Sequence, residues 1–246
     1  MSARQGLKEI QSSGTATGGD LKDQAAEYAA AWAEFERLQQ VAPHRADWAR
    51  WAGGRGSHTL FMGLVTDAGA VEAIANVQAR LGQMGGLETH AQHFFHISVQ
   101  TCGFGHELAV DVERVAHAVR KLEPFEVMLG GVNAFHSAVF LETHSGGKLL
   151  ATRQALREAL GPELYGIDPH HGFVFHLTIG YLSGDADVRT VRERIGALRD
   201  IETARVRIDE VALVEVPTDQ RVPFPRLEPL RTFALGRAPF VAPPAA

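Results

Sequence analysis

Two short segments of the chain combine a histidine with a hydroxyl residue in the same pattern. His96-Ile97-Ser98-Val99 and His176-Leu177-Thr178-Ile179 both consist of a histidine, an apolar residue, a Ser or Thr, and another apolar residue. They are the only His-x-Ser/Thr matches in a chain with 12 histidines. One such match is expected by chance, whereas two in equivalent apolar segments indicate a shared role for the pair.

Each motif predicts a β-strand with its imidazole and its hydroxyl on one face, because side chains alternate along a strand. Tyr181 falls on the opposite face, where the apolar residues pack into a core. The residues predicted to share the two motif faces are His96, Ser98 and Gln100 in the first strand, and His176, Thr178 and Gly180 in the second.

Two imidazoles and two hydroxyls suit phosphodiester chemistry without a metal. Histidine titrates near pH 6.5, so one ring can accept a proton from the nucleophile while the other donates one to the leaving oxygen. The hydroxyls of Ser98 and Thr178 can donate to the non-bridging phosphoryl oxygens, where negative charge must be held. Which histidine is the acid and which is the base stays open.

The elements that must position these residues are predicted twice, in the order strand, helix, strand, helix, strand. Matching landmarks lie 78 residues apart for His58 and His136 and 80 apart for the motif histidines. Asp67 is predicted to cap the first helix. The predicted strands cover about 58–66, 94–101, 124–133, 136–143, 173–182 and 203–216, and the helices cover 67–84, 107–122, 146–160 and a segment carrying Val188, Val191, Ile195 and Leu198.

The repeat predicts two matched lobes about a pseudo-two-fold axis. Equivalent residues approach one another at such an axis, and clefts between lobes are favoured places for small-molecule sites. Before the lobes, Asp20 is predicted to cap an amphipathic helix. The predicted boundaries are 1–20 for a disordered N-terminus, 21–56 for a helical extension, 57–135 for lobe one, 136–216 for lobe two, 217–236 for a closing segment of the 57–236 domain, and 237–246 for a tail.

With these motifs, the sequence resembles the 2H phosphoesterase superfamily over about residues 57–216. Members of that superfamily include RNA 2′,3′-cyclic phosphodiesterases (also called 2′-5′ RNA ligases), cyclic nucleotide phosphodiesterases and 2′,5′-oligonucleotide phosphodiesterases. The resemblance implies an α+β, two-lobed fold with mainly antiparallel sheets lining a central cleft and helices outside. It also implies catalysis by His96 and His176 and phosphate binding by Ser98 and Thr178.

Two features depart from that pattern. The first motif carries Ser98 where many members carry Thr, which keeps the hydroxyl. The first 55 residues have no counterpart that can be placed, so they could serve as a lid, a partner surface or a substrate feature.

Other residues near the motifs are candidate substrate contacts. The H-x₂-H-x₂-H run that ends at His96 could also hold a metal, although a strand sends residues three apart to opposite faces. Solvent-exposed bystanders are the alternative for the loop histidines. The candidate contacts are His90, His93, Phe104, Tyr165, His171 and Tyr181.

Composition limits the class of protein. The net charge of -5 argues against an extended nucleic-acid surface. A single cysteine, Cys102, excludes an intramolecular disulfide and fits a reducing compartment. The absence of an apolar leader and of an 18-residue apolar window predicts a cytoplasmic protein that does not enter a membrane. We expect a monomer without a cofactor that binds a small nucleotide or an RNA end.

The function that follows is a metal-independent phosphodiesterase acting on 2′,3′-cyclic phosphates or 2′,5′-linked phosphodiesters. Three alternatives stay open at this point. The fold could bind nucleotides or RNA ends without turnover, a metal-dependent hydrolase could use His90 and His93, or the paired histidines could serve folding alone.

Overall fold

The computed structural model describes residues 24–44, 56–82, 84–104, 110–162, 173–218 and 224–236. None of the helices in these ranges is long and apolar enough to cross a membrane. The described helices are α1 (Gln24–Glu36), α2 (Ala68–Leu81), α3 (Val112–Val119), α4 (Lys148–Leu160) and α5 (Val188–Gly196). The described strands are β1 (Ser57–Leu64), β2 (Leu87–Thr89), β3 (His96–Phe104), β4 (Phe125–Phe135), β5 (Ala138–His144), β6 (His176–Leu182), β7 (Ala204–Ile208), β8 (Glu210–Pro217) and β9 (Pro229–Ala234).

Aspartates start three of the helices. Asp67 caps α2 as predicted, with its Oδ1 accepting a hydrogen bond from the backbone nitrogen of Ala70 at 2.8 Å. Asp111 and Asp187 cap α3 and α5 in the same way. Each side chain satisfies backbone N–H groups that have no partner within the first helical turn. The predicted cap Asp20 lies outside the described residues.

All described strand pairs are antiparallel and form one nine-stranded sheet. Its strand order is β7-β4-β5-β6-β3-β1-β8-β9, and β2 also pairs with β6. The two motif strands, β3 and β6, are therefore neighbours at the middle of the sheet. The predicted α+β class with antiparallel strands is confirmed.

The single strand predicted over 203–216 is two strands that meet at Asp209. β7 pairs with β4 at one end of the strand order, whereas β8 pairs with β1 near the other end. Because one residue joins them, the sheet must curl so that these two regions come together. A Cβ on Gly63 of β1 would lie 2.9 Å from Cδ1 of Ile208 in β7, which shows how closely they approach.

Hydrogen bonding groups the strands differently from the sequence repeat. β4 precedes residue 136 but pairs with β5, and β8 follows that residue but pairs with β1. Each half of the sheet thus contains a strand from the other half of the chain. The lobe and domain boundaries drawn from the sequence stay predictions.

Apolar side chains pack on both faces of the sheet. The larger core lies between the sheet and the helices and includes Ile97, Val99, Leu177 and Ile179 of the motif strands. A smaller cluster covers part of the opposite face. Its buried members are Leu60, Met62, Phe94, Ala212, Val214, Val216 and Leu227.

Candidate active site

The two motifs lie side by side, with Ile97 of β3 paired to Leu177 of β6. Continued by one residue in each direction, this register places His96 across from Thr178 and His176 across from Ser98. The face of the sheet that carries these four residues is called the motif face below. Diagonal neighbours on one face of an antiparallel pair lie about 7–8 Å apart, so a phosphate group could fit between the two imidazoles.

A β-bulge interrupts each motif strand at the same position. Phe61 and Met62 of β1 pair with Gln100 and Ser98, leaving Val99 as the extra residue. In β6, Ile179 is the extra residue between the partners of β5. An extra residue reverses the alternation of side chains beyond it, and both strands show the same sequence of buried and partly exposed positions.

These bulges overturn three predictions made from strict alternation. Gly180, the counterpart of Gln100, is buried, and a Cβ there would lie 2.8 Å from Cδ1 of Leu87, which packs against the larger core. Gln100 is fully buried, with its side chain close to that of Arg157 of α4, and so lies away from the motif face. Tyr181, predicted to lie on the core face, instead follows His176 and Thr178 on the motif face. The equivalent position in β3 is Thr101, which is also partly exposed.

The backbone of each bulge is held by a side chain from a helix of the other repeat. Arg153 Nη1 of α4 donates to the carbonyl of Val99 at 2.8 Å. Gln78 Nε2 of α2 donates to the carbonyl of Ile179, also at 2.8 Å. Both donors are buried. The bulges therefore have satisfied carbonyls and fixed positions, which in turn fix the motif residues beside them.

The two imidazoles are oriented by identical hydrogen bonds. His96 Nδ1 lies 2.7 Å from the carbonyl oxygen of Phe94, and His176 Nδ1 lies 2.7 Å from that of Val174. A carbonyl oxygen can only accept, so Nδ1 carries the hydrogen in both rings. Each Nε2 is therefore the nitrogen that gains or loses a proton, as general acid–base chemistry requires.

Both histidines are easier to keep neutral than a histidine in water. Burial lowers the pKa of His96 to about 4; the hydrogen bond to Phe94 opposes this shift, and the charge of His176 adds to it. Burial also lowers the pKa of His176, against an opposing hydrogen bond to Val174. Each Nε2 is thus available as a base before substrate binds, and an anion nearby would favour protonation.

Aromatic rings pack beside the two imidazoles. The ring of Phe94 meets His96 edge to face, with centroids 5.1 Å apart. Phe135 makes the same kind of contact with His176 at 5.1 Å, and Phe140 lies 5.2 Å away. These rings limit rotation of the imidazoles and lower the local dielectric constant.

A cluster of rings extends from Phe94 along the motif face. His90 contacts Tyr181 at 4.5 Å and Phe224 at 4.6 Å between centroids. His44, from the segment after α1, stacks on Tyr181 at 3.5 Å with the planes inclined by 5°. Phe224 has a φ of 54°, an uncommon conformation for a bulky residue that indicates local strain.

The side chain of Glu142 lies directly across from His176 on the motif face. Its Oε1 accepts hydrogen bonds from Arg199 Nη1 and Asn133 Nδ2, each at 2.8 Å, and His144 Nε2 lies 3.6 Å from Oε2. Burial would raise the pKa of this carboxylate, but its polar neighbours outweigh burial and lower the pKa below its ordinary value. An ionised carboxylate paired with Arg199 therefore lies beside the second motif.

The remaining predicted contacts differ in how near they lie to the motifs. His90 is 3% exposed, so it lies beneath the surface and is not a solvent-exposed bystander. His93 is exposed, and its Nε2 lies 2.8 Å from the carbonyl oxygen of Phe224. Phe104 is at the far end of β3, roughly 25 Å of strand from His96. Tyr165 and His171 lie outside the described residues.

The histidine run ending at His96 does not form a metal-ligand set. His90 is enclosed by rings, whereas His93 bonds a backbone carbonyl at the surface. Among the described residues, no three His, Cys, Asp or Glu side chains are grouped so that they could hold a metal ion.

Sequence reasoning missed several residues that line or support the site. Glu142 and Phe224 carry no motif, and only the sheet register or the backbone turn reveals them. Tyr28 and His44 come from the N-terminal segment, which has no repeat partner for comparison. The amphipathic pattern that predicted this helix gave no information on where it packs.

Comparison with known proteins identifies a family. A family model described as the 2′-5′ RNA ligase superfamily matches residues 68–220, more than half of the chain. The match includes both motifs and begins after α1. The N-terminal segment that contributes Tyr28 and His44 thus lies outside it.

One relative of known name is similar to part of this chain. An RNA 2′,3′-cyclic phosphodiesterase of Methanothermobacter thermautotrophicus is 29% identical over 102 residues, which cover 40% of this chain and 55% of the relative. The chain therefore matches about half the length of that relative.

Solved structures share the fold at low sequence identity. TT0787 of Thermus thermophilus has a TM-score of 0.57 at 18% identity, covering 74% of this chain and all of that one. E. coli LigT complexed with 3′-AMP has a TM-score of 0.51 at 15% identity, covering 74% of this chain and 99% of that one.

Proposed function

Because the chain belongs to the 2′-5′ RNA ligase superfamily, we propose that it is a metal-independent phosphodiesterase with His96 and His176 as its acid–base pair. Its substrates are 2′,3′-cyclic phosphates or 2′,5′-linked phosphodiesters of nucleotides or RNA ends. The observation that carries the proposal is the matched pair of Nδ1–carbonyl hydrogen bonds on neighbouring strands. That arrangement leaves two titratable Nε2 atoms on one face of the sheet.

The reaction with a 2′,3′-cyclic phosphate proceeds by in-line attack of water on phosphorus. Nε2 of one histidine accepts the proton of the water, and a new phosphorus–oxygen bond forms. The bond to one ribose oxygen breaks, and Nε2 of the other histidine donates a proton to that oxygen. The product is a phosphomonoester. The base then loses its proton to solvent and the acid regains one, which restores the starting protonation states.

The hydroxyls of Ser98 and Thr178 hold the phosphoryl group during this step. Each lies across the strand pair from the histidine of the other motif, so each histidine has a hydroxyl beside it on its own strand and another opposite. Donation to the non-bridging oxygens stabilises the charge that grows in the transition state.

The lowered pKa values fit this sequence of events. Two imidazoles that are neutral before substrate binds provide the base directly. A bound phosphodiester brings a negative charge, which raises the pKa of nearby histidines and so supports protonation of the acid. Because the two groups interact, the pH dependence of the rate reports the pair and not single residues.

The ring cluster beside Tyr181 supports a nucleoside substrate. Tyr181 is three residues beyond Thr178 on the motif face, and this partly exposed residue belongs to a ring cluster in which His44 stacks on it. A base attached to a phosphate held at the histidines can reach it, and base–aromatic stacking contributes about 1–3 kcal/mol. The name of the curated relative and the 3′-AMP bound to E. coli LigT point to the same substrate class.

The test is hydrolysis of 2′,3′-cyclic nucleotides and 2′,5′-linked dinucleotides in the presence of EDTA. Wild type, His96→Ala and His176→Ala are compared with His117→Ala, which removes an exposed histidine on α3. We expect turnover by wild type and His117→Ala, and a loss of about 10²- to 10⁴-fold in each motif variant.

Other outcomes would contradict the proposal in different ways. Turnover that EDTA abolishes and an added metal restores would favour metal-dependent hydrolysis. Tight binding of a cyclic nucleotide without product would favour a binding module. Equal activity in folded motif variants, with only the melting temperature lowered, would assign the histidines to folding.

A further inference from the structure

Each motif strand pairs with a flanking strand, β3 with β1 and β6 with β5. The two pairings are equivalent up to the motif histidine. In the first half, Leu64 of β1 pairs with His96, and the next backbone nitrogen, that of Val65, donates to the carbonyl of Phe95 at 3.1 Å. In the second half, Glu142 of β5 pairs with His176. The equivalent bond there would run from Thr143 to Phe175.

A side chain takes the place of that bond in the second half. The hydroxyl of Tyr28 accepts from the backbone nitrogen of Thr143 at 2.9 Å and lies 2.7 Å from the carbonyl oxygen of Phe175. It also lies 2.8 Å from the carbonyl oxygen of Thr143, so its one proton has two carbonyl acceptors within reach. The hydroxyl thus bridges β5 and the segment before β6, next to His176.

Tyr28 is firmly seated. Its side chain is 1% exposed, and its ring meets that of His144 edge to face at 5.4 Å. Asn133 Nδ2 donates to its backbone carbonyl at 3.0 Å. Burial is the main influence that raises the pKa of the phenol to about 12, so it keeps its proton and remains a donor at all ordinary pH values.

A second residue of α1 holds the same segment. Gln24 Oε1 accepts from the backbone nitrogen of Phe175 at 3.0 Å, and its Nε2 donates to the carbonyl of Phe173 at 3.4 Å. Between these two bonds lies Val174, whose carbonyl accepts from His176 Nδ1. Helix α1 therefore fixes the short stretch of backbone that orients the second imidazole.

We propose that Tyr28 is a positioning residue for His176, supplied by a segment outside the family match. The inference rests on the proposed function, because it names what holds one of the two acid–base groups in place. Its physical basis is that loss of the bridge lets residues 173–175 shift relative to β5. A displacement of the order of 1 Å at a reacting group can cost up to about 10²-fold in rate.

The test compares Tyr28→Phe with Phe35→Leu, which weakens the packing of the same helix at a buried core residue about two helical turns beyond Tyr28. We expect Tyr28→Phe to lower kcat about tenfold with KM within twofold of wild type. Phe35→Leu should lower the melting temperature at least as much, yet keep kcat at temperatures where it is folded.

Histidine NMR titrations provide a readout that needs no turnover. The hydrogen bond to Val174 raises the pKa of His176, so its weakening in Tyr28→Phe is expected to lower that pKa further and to leave His96 unchanged. Gln24→Ala should move the same resonance in the same direction, and it carries the test should Tyr28→Phe fail to fold.

The proposal is overturned if kcat and the His176 titration match wild type in Tyr28→Phe, or if Phe35→Leu reproduces both changes at equal stability. A wild-type protein without turnover on the whole substrate panel would refute the proposed function alone. The NMR comparison would still decide whether Tyr28 orients His176.

Discussion

The half of the sheet around His96 and the half around His176 reach the same motif geometry by different means. Both have a bulge after the hydroxyl residue and the same Nδ1–carbonyl bond of 2.7 Å. Beside His96 the adjoining strand continues the backbone ladder, and an apolar cluster covers the motif face. Beside His176 the ladder is bridged by Tyr28, and the neighbouring carboxylate of Glu142 is paired with Arg199.

Features shared by both halves can be distinguished from features found in only one half. The imidazole, its carbonyl partner, the hydroxyl and the bulge recur in both halves, as the proposed acid–base mechanism requires of two equivalent Nε2 atoms. The flanking support differs, so it can carry properties of this protein in particular. The second half takes this support from a side chain of α1, whereas the first half takes it from the backbone of β1 and Val65.

The largest effect expected beyond the loss of the histidines themselves is acid destabilisation through His96. Its pKa is about 4 in the folded protein and near 6.5 when unfolded. The unfolded state therefore binds a proton that the folded state does not. The resulting loss of folding stability is absent above pH 7 and grows as the pH falls toward 4. The cost reaches on the order of 3 kcal/mol.

Urea unfolding at pH 7 and at pH 4.5 measures this effect. His96→Asn should lose less stability on acidification than wild type, because the asparagine does not titrate. His176→Asn should act in the same direction, since that pKa is lowered too. An unchanged pH dependence in both variants would show that the imidazoles are not buried in neutral form.

The two hydroxyls test whether the halves are chemically equivalent. Ser98→Ala and Thr178→Val are each expected to lower kcat about 10²-fold, because each removes a donor to the phosphoryl oxygens. Ser98→Thr should remain active, since it keeps the hydroxyl. A large loss in only one of the two hydroxyl-deleting variants would mean that the phosphate is held by one half alone.

The smallest expected effect concerns Tyr181 and its counterpart Thr101. Tyr181→Ala should raise KM for a cyclic nucleotide about tenfold with little change in kcat, because stacking on the base is lost. Thr101→Ala, at the equivalent place in the other half, should change neither constant. Similar effects in both variants would mean that the nucleobase does not bind preferentially beside Tyr181.

Much of the site could be predicted because two copies of one pattern constrain each other. The pairing of His96 with His176 followed from their matched positions in the repeat, and the capping role of Asp67 followed from local chemistry. The predicted faces of Gln100 and Tyr181 were wrong, because a bulge reverses the alternation of side chains beyond it. A bulge within a run of apolar residues cannot be recognised from the sequence. The break between β7 and β8 at Asp209 was also missed. It arises because β7 pairs with β4 and β8 pairs with β1, and these pairings are not evident from the local sequence.

The support from α1 could not be predicted in the same way. Tyr28 and His44 occur in a segment with no second copy, so no internal comparison could mark them. Their contacts join residues more than 90 positions apart, and only the folded chain brings them together.

The most direct test of the account is the turnover of His96→Ala, His176→Ala and the double variant on a 2′,3′-cyclic nucleotide. Groups that act as one unit lose most of the rate when either is removed, so we predict that the double variant falls little below the single ones. Independent losses that multiply in the double variant, or a single variant that keeps wild-type turnover, would contradict a shared acid–base mechanism.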